Sequence, residues 1–255
     1  IVQPLKRMPD GQYQPIALDV ALSEIAEKLQ IIIARDGADA VAAYRGTATY
    51  LNALALAMLR LWLRAIGSSS LFSTMTIDQS AKWVTADRLG RWHAGRHPFE
   101  TAEVALIFGA NPLVSIQGGL GINTLNPAKR LAQARERGLQ LIVVDPRATE
   151  LARYADIHLQ IYPGEDVTVA AALLHLIFRE GWHDAQFCAD WADGVNELRR
   201  AVDRFTPEYA AQRAGVEATQ LIDAARMFAA NARLGAASSG TGPNMGPHSN
   251  LAEHM

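Results

Sequence analysis

The hydrophobic positions of the chain follow two spacings, which separate helices from buried strands. Apolar residues at helical spacing predict a first helix that stops at Gly37 and a second helix over 51–66. Beyond these, helical segments alternate with short apolar runs that predict strands, at 104–108, 139–145 and 157–164. Parallel strands need a crossover, which is usually a helix. The alternation therefore predicts an α/β fold with a Rossmann-like parallel sheet and helices on both faces.

The later part of the chain is mostly helical and contains one more strand. Residues 184–231 have helical spacing, and Thr206 followed by Pro207 is a typical helix start. A last apolar run, "LGAASSG" at 234–240, predicts a strand that leads into a glycine-rich loop.

The overall composition is that of an ordinary folded protein, with 49% hydrophobic and 20% charged residues in a chain of 255. Lysine and arginine number 24 against 26 for aspartate and glutamate, a formal charge of −2. This balance gives no electrostatic reason to expect binding to nucleic acid or to an anionic membrane. The longest apolar stretch, 51–67, contains Asn52, Arg60 and Arg64, which favours a buried helix over a membrane span.

The single cysteine, Cys188, limits the redox chemistry of the chain. One thiol cannot form an intrachain disulfide framework or ligate an iron–sulfur cluster on its own. A reducing, cytoplasmic location fits this composition. We expect Cys188 itself to be a buried packing residue.

Three consecutive strands of the predicted sheet end in small or polar residues. Alone, each end is most simply a turn, because Gly, Pro, Asn and Asp are common turn formers. Together on one edge of a sheet they favour a nucleotide site, because glycine lets a phosphate approach the backbone and carboxylates bind ribose hydroxyls. The residues are Gly109 and Asn111 after the first strand, Asp145 and Arg147 after the second, and Gly164 and Asp166 after the third. An ordinary G-x-G-x-x-G fingerprint is not found, because "GGLGIN" at 118–123 lies too far past its strand.

Five stretches of the chain carry a more specific signal: "PLKR…DGQYQPIALDVALSEIAEKL", "IFGANP", "LIVVDPRATELARYADIHLQIYPGEDVTVAAALLHLI", "FTPEYAAQRAGVEATQLIDAARMFA" and "GTGPNMGPHSN". In this order they resemble the molybdopterin-guanine-dinucleotide oxidoreductases, which include formate dehydrogenases, nitrate reductases and dimethyl sulfoxide reductase. The resemblance covers essentially the whole chain.

The resemblance implies a molybdenum or tungsten ion held by two pterin dithiolenes, with guanine-nucleotide tails lying across the strand ends. The matching motifs would place the three pairs of strand-end residues against one tail, with Asp166 accepting hydrogen bonds from the guanine N–H groups. Gly240, Gly242 and Asn244 would line the inner end of the cofactor.

The family also implies one further protein ligand to the metal, from the loop after the first long helix. Cys188 does not match this position, and Asp78 in "STMTIDQSAKW" aligns best. A carboxylate is a reasonable ligand for an oxidised molybdenum centre. Asp78 could equally cap the helix that begins near Ser80. The alternatives to Asp78 as ligand are Ser73, Thr76 and Ser80.

Two histidines show a weak metal-ligand spacing. His93 and His97 are four residues apart, but Gly95 and Pro98 beside them favour a loop with a surface or supporting role.

The resemblance also implies a domain organisation. Family members build one middle domain from two separate stretches of chain, so residues 1–67 would be the first part of a split α/β domain. Residues 68–235 would form the Rossmann-like nucleotide-binding domain, and 236–255 a glycine-rich cofactor loop with the start of the next segment. The usual N-terminal cysteine cluster is missing from this chain, so a [4Fe-4S] cluster is expected only in a preceding part of the protein. This segment alone is not expected to turn over substrate.

We therefore expect the central part of an oxidoreductase that carries out two-electron redox or oxygen-atom transfer on a small molecule and exchanges electrons with a partner. The alternative is a metal-free relative that serves as a structural or electron-transfer scaffold in a respiratory complex. Asp145, Arg147 and Asp166 favour the enzyme, because a scaffold has no need of nucleotide-facing polar groups at strand ends.

Overall fold

The computed structural model describes residues 3–46, 49, 52, 54–74, 77–89, 98–115 and 125–255. The chain divides into two compact units, Ile1–Ile77 and Asp78–Met255. The division after residues 67 and 235, and the split domain that goes with it, stay predictions. Among the helices that the structure describes, none combines the length and the apolarity that a membrane crossing needs.

The first unit contains two short two-stranded sheets and two helices. Strands β1 and β2 are antiparallel, and β3 and β4 are parallel. The first predicted helix is confirmed, and Gly37 ends it with a φ of 87°. Every residue of that helix is exposed or half-buried. The elements are β1 (Leu5–Arg7), β2 (Tyr13–Pro15), α1 (Leu18–Asp36), β3 (Ala43–Arg45), α2 (Ala55–Ile66) and β4 (Leu71–Ser73).

The second unit contains a four-stranded sheet and most of the helices. Its strands are β5 (Val104–Phe108), β6 (Gln140–Val144), β7 (Ile157–Leu159) and β8 (Gly235–Ser239). Its helices are α3 (Ser80–Leu89), α4 (Pro127–Glu136), α5 (Asp166–Arg179), α6 (Ala185–Trp191), α7 (Val195–Val202), α8 (Pro207–Ala214), α9 (Ala218–Ala225), α10 (Thr241–Asn244) and α11 (Ser249–His254). A π-helical turn, Arg226–Ala230, follows α9.

The sheet of the second unit is parallel throughout, in the order β7-β6-β5-β8. Alternate residues of β5 point to opposite faces, so Leu106 packs in one core with α5 and α9 while Ile107 packs in another with α4. Both faces are therefore covered, and the predicted Rossmann-like fold is confirmed. The Thr206 hydroxyl accepts a hydrogen bond from the Tyr209 N–H at 3.3 Å, as expected of the N-cap of α8.

Three expectations need correction. The strand predicted over 157–164 ends at Leu159, because the Tyr162 N–H bonds to the Ala214 carbonyl of α8 and leaves the sheet. The helical segment 184–231 is four short α-helices and a π-helical turn, because Gly194 and Gly215 interrupt it with positive φ. Cys188 is half-buried, since α6 lies on the surface and has no buried residue.

Candidate cofactor site

The four parallel strands end at one edge of the sheet. Phe108, the last residue of β5, lies opposite Val144 of β6 on one side and Ser239 of β8 on the other. Along the chain, β6 pairs with one side of β5 and β7 with the far side of β6. The last strand, β8, then pairs with the other side of β5. Open α/β sheets bind ligands at the carboxyl ends of strands where the order reverses in this way. The expected crevice therefore lies between the ends of β5 and β8.

Three glycines after β5 and β8 pack directly against one another. Gly109 has a φ of 52°, and a Cβ there would lie 2.7 Å from the Cα of Gly242 and 2.6 Å from Pro243 Cδ. A Cβ on Gly240 would lie 2.5 Å from the Gly109 carbonyl oxygen. The Gly240 N–H donates to the Phe108 carbonyl at 2.8 Å, and the Gly242 N–H to that of Gly109 at 3.1 Å. These glycines thus allow two backbone segments to pack closely, and their contact with a cofactor stays a prediction.

The end of β6 is built around the buried carboxylate of Asp145, which is 7% exposed. Its Oδ1 accepts a hydrogen bond from the Arg147 N–H at 2.8 Å, which forms a tight side-chain turn. The Asp145 carbonyl accepts from His158 Nε2 at 2.9 Å, so this nitrogen carries the proton. The Arg147 side chain itself is exposed.

The connection from β7 to α5 places a second carboxylate near the first. Gly164 takes a φ of 92° with open space around it, and Asp166 begins α5. Burial raises the pKa of Asp166 above its usual range, its own backbone N–H opposes this shift, and the charges of Asp145 and Glu165 add to it. The two predicted carboxylates therefore interact electrostatically at the same edge of the sheet.

The loop after β5 contributes Asn111. Its Nδ2 donates to Glu150 Oε2 at 2.5 Å, while its buried Oδ1 has no hydrogen-bond partner within the described ranges. The pKa of Glu150 is lowered first by its own backbone N–H and then by Asn111. Asn111 is thereby fixed in orientation and keeps one free acceptor.

Asn244 connects the glycine-rich loop to α11. The residue is 5% exposed, and its Nδ2 donates to the Gly240 carbonyl at 2.8 Å and to Glu253 Oε1. Its buried Oδ1 finds no partner in the part of the chain that the structure describes. A buried acceptor without a donor is costly, so a bound group with an N–H would fit here.

Asp78 lies just before helix α3, in a segment that contacts this loop. Lys82 Nζ donates to the Ser239 carbonyl at 3.0 Å, and Gln79 Nε2 donates to Thr241 Oγ1 at 3.4 Å. Asp78 Oδ1 is buried and, among the described residues, has no hydrogen-bond partner. A cation would satisfy this oxygen, and the roles of ligand and helix cap both stay predictions.

A cleft of about 310 Å³ opens between the ends of β5 and β8 and helix α5. Its walls are mainly apolar, and Asp166 and Glu253 contribute carboxylates. Its lining includes Phe108, Asp166, Leu173, Phe228, Ser239 and Glu253. Small-molecule sites typically combine such an apolar wall with a few polar groups.

The predicted site residues therefore fall into groups. Gly109, Gly240 and Gly242 pack together, Asp166 lines the cleft, and Asp145 lies at the neighbouring strand end. Of the predicted site residues that the structure describes, Asp166 alone lines the cleft, and the others lie around it or farther away. Thr76, His93 and His97 lie outside the described residues.

Sequence reasoning missed several polar residues around this edge, among them the half-buried Lys82 and Glu253. Lys82 follows Asp78 by four residues, but Asp78 precedes helix α3 and Gln79 between them has a φ of 57°, so helical spacing does not relate the two and gave no signal. Glu253 belongs to a helix beyond the quoted glycine-rich motif, so only the fold brings it to Asn244.

A reversed strand order with polar side chains at the strand ends is typical of nucleotide-binding α/β proteins. The family model described as molybdopterin oxidoreductase matches residues 1–244. The chain belongs to this family. Membership implies a molybdopterin cofactor with molybdenum or tungsten.

Individual relatives agree with this assignment. The chain is 28% identical over 239 residues to formate dehydrogenase H of Escherichia coli, covering 88% of this chain and 31% of that protein. It is 29% identical over 235 residues to the thiosulfate reductase molybdopterin-containing subunit of Salmonella typhimurium, covering 90% and 29%. The solved structure of acetylene hydratase from Pelobacter acetylenicus matches with a TM-score of 0.82 at 26% identity, covering 99% and 34%. The chain therefore spans about a third of the length of these relatives.

Proposed function

We propose that this chain is the central part of an oxidoreductase whose molybdenum or tungsten is held by two molybdopterin guanine dinucleotides. The complete protein would carry out two-electron redox or oxygen-atom transfer on a small molecule. The observation that carries the proposal is the Asp166 carboxylate in the wall of an apolar cleft where the strand order reverses.

Asp166 is chemically suited to a guanine base. Guanine presents adjacent N–H donors, and a carboxylate can accept two of them in parallel. Burial disfavours the charged form of Asp166 and so raises its pKa. Two N–H donors from the base would offset that cost, which makes this carboxylate a selective contact for the nucleotide tail.

The residues near α3 suit the inner end of the cofactor. Asp78 Oδ1 and Asn244 Oδ1 are buried acceptors without partners among the residues described. Asp78 would offer a hard oxygen ligand to the metal, and Asn244 would accept from a pterin N–H. The bound metal and its dithiolenes would supply the redox step, while the protein supplies orientation and electrostatics. Ser73 and Ser80 stay as alternative ligands.

The remaining parts of the proposal concern the complete protein. A [4Fe-4S] cluster in a preceding segment would pass electrons to or from the metal. A separate protein partner would exchange those electrons with the cluster. The rival is a metal-free scaffold, and the buried unpartnered acceptors favour the enzyme over it.

Elemental analysis of the complete protein, purified from its natural source, tests the central claim. We expect near-stoichiometric molybdenum or tungsten per polypeptide and guanine nucleotide released on acid treatment. Folded, full-length protein without either metal would support the scaffold instead.

Replacing Asp166 with alanine tests the nucleotide assignment. Loss of a charge-assisted contact to two N–H donors should weaken cofactor retention by about tenfold or more. The matched control is Asp193→Ala, which removes an exposed carboxylate from the same unit. Equal guanine content in both variants would show that Asp166 does not hold the base.

Asp78→Ala separates ligand from helix cap. As ligand, Asp78 is needed for activity but not for binding the pterins, so we expect inactive protein that retains most of its pterin. Full activity with a lowered melting temperature would instead identify Asp78 as a helix cap.

A further inference from the structure

Lys82 is a half-buried cation at the C-terminal end of the sheet. Its ammonium group donates to the Ser239 carbonyl, the last residue of β8. Burial lowers the pKa of Lys82, and the charges of Glu253 and Asp78 act in the opposite direction. The ammonium therefore lies within the electrostatic reach of two carboxylates, Asp78 and Glu253.

Further side-chain contacts hold Lys82 in this position. Gln79 bonds to Thr241 one turn before it, and Thr85 bonds to His254 one turn after it, at 3.2 Å. Helix α3 is thus attached to the segment after β8 at several successive points. A lysine on a helix held in this way loses little further freedom, so its charge has a fixed position.

Glu253 is also fixed, because Asn244 donates to its Oε1 and to the Gly240 carbonyl. Lys82, Glu253 and Asn244 are therefore linked through the ends of β8 and α10. In surroundings of low polarity, each unit charge in such a network changes the local potential more than a charge at the protein surface does.

We propose that Lys82 is a positioning residue that sets the charge balance next to Asp78, and so tunes the reduction potential of the metal centre. The inference rests on the proposed function and deepens it. A nearby positive charge stabilises the more reduced, more negative state of a metal centre, and a nearby carboxylate stabilises the oxidised state. Lys82 and Glu253 would therefore act on the potential in opposite directions.

A redox titration of the complete, cofactor-loaded protein, followed by electron paramagnetic resonance of the metal, tests this assignment. Lys82→Met removes the charge at similar volume and should shift the midpoint potential to a more negative value. Lys82→Arg keeps the charge and should restore the parent value. Glu253→Gln keeps an oxygen for Asn244 but removes a negative charge, and should shift the potential to a more positive value.

The matched control is Lys129→Met, which removes an exposed positive charge from α4 of the same unit and should leave the potential unchanged. Unchanged potentials in both Lys82→Met and Glu253→Gln would overturn the inference. If Lys82→Met fails to load metal, Glu253→Gln alone decides, since it leaves the lysine in place. Absence of metal from the parent protein would reject the proposed function itself, which is a different result from loaded variants with unshifted potentials.

Discussion

The carboxyl-terminal edge of the sheet has two parts that differ in their residues: the ends of β5 and β8 carry glycines, and the end of β6 with the start of α5 carries aspartates. At the ends of β5 and β8, Gly109 and Gly240 bring backbone against backbone, with no room for a side chain. At the end of β6 and the start of α5, the backbone has more space, and Asp145 and Asp166 present carboxylates. Glycine at one strand end and aspartate at the next therefore serve different needs: close packing in the first case, polar contacts in the second.

The comparison is clearest for glycines. Gly109 and Gly164 both have positive φ and both follow a strand, so nothing in the sequence distinguishes their structural roles. Of these two glycines, Gly109 has atoms within 3 Å of the position that a Cβ would occupy, and Gly164 has none within 4 Å. The same residue type thus meets a steric demand at one position and a conformational demand at the other.

The largest effect is expected for Gly109→Ala. A Cβ would collide with Gly242 and Pro243, and the residue would also be held at a φ that L-residues avoid. Left-handed strain of about 1–2 kcal/mol and overpacking of about 1–3 kcal/mol together give a loss of about 2–5 kcal/mol. Hydrogen exchange of β5 and β8 amides in the complete protein measures the local opening free energy. Protection equal to that of the parent would contradict the close contact.

Gly164→Ala should have a smaller effect, because nothing lies within 4 Å of the added methyl group. The strain of a positive φ alone predicts a loss of about 1–2 kcal/mol. The same exchange experiment, applied to the first turn of α5, measures it. A loss as large as that of Gly109→Ala would remove the distinction between the two strand ends.

Asp145→Ala removes the acceptor that closes the turn with the Arg147 N–H. Loss of one such hydrogen bond in a largely buried position predicts destabilisation of about 1 kcal/mol. Asp145→Asn keeps an oxygen at this position and serves as the control. Urea denaturation, followed at a probe in the second unit, compares the two. Equal destabilisation in both variants would mean that the charge, not the acceptor, matters.

The smallest effect is a pH dependence at Asp166. Because the folded-state pKa is raised, the folded protein binds a proton more tightly than the unfolded chain, so stability falls as pH rises through that pKa. In cofactor-free, full-length protein, Asp166→Asn should be more stable than the parent at neutral pH. The difference should shrink as pH falls towards the unfolded value of about 4. Melting temperatures across this range test the sign, and a difference that grows on acidification would reverse it.

The sequence predicted the sheet well because buried parallel strands leave a strong apolar signal. Residues 104–108 form β5 as expected, and β6 differs by one residue at each end. The predicted strand over 157–164 was too long, because the partner of the Tyr162 N–H is a carbonyl of α8, more than fifty positions away along the chain. A local pattern cannot contain that information.

The candidate site was less accessible to sequence reasoning. Asp145 could be located because it follows β6 directly, and Asp166 because it begins a helix after a turn-rich segment; the structure brings their charges together. Lys82 and Glu253 could not, since each lies on a helix whose position depends on the tertiary fold. The contact of Gly109 with Gly242 also needs the pairing of β5 with β8, which joins distant parts of the sequence.

The insertion of β8 beside β5 has a consequence for how the protein is made. During synthesis, β5, β6 and β7 leave the ribosome together, but β8 follows only after α5 to α9 have been added. Until then β5 has an open edge, and the cleft has only one wall. Pairing across so long a sequence separation is slow and late in folding. The cleft, which residues of β8 and α11 also line, is therefore completed only after the polypeptide has been extended past residue 239.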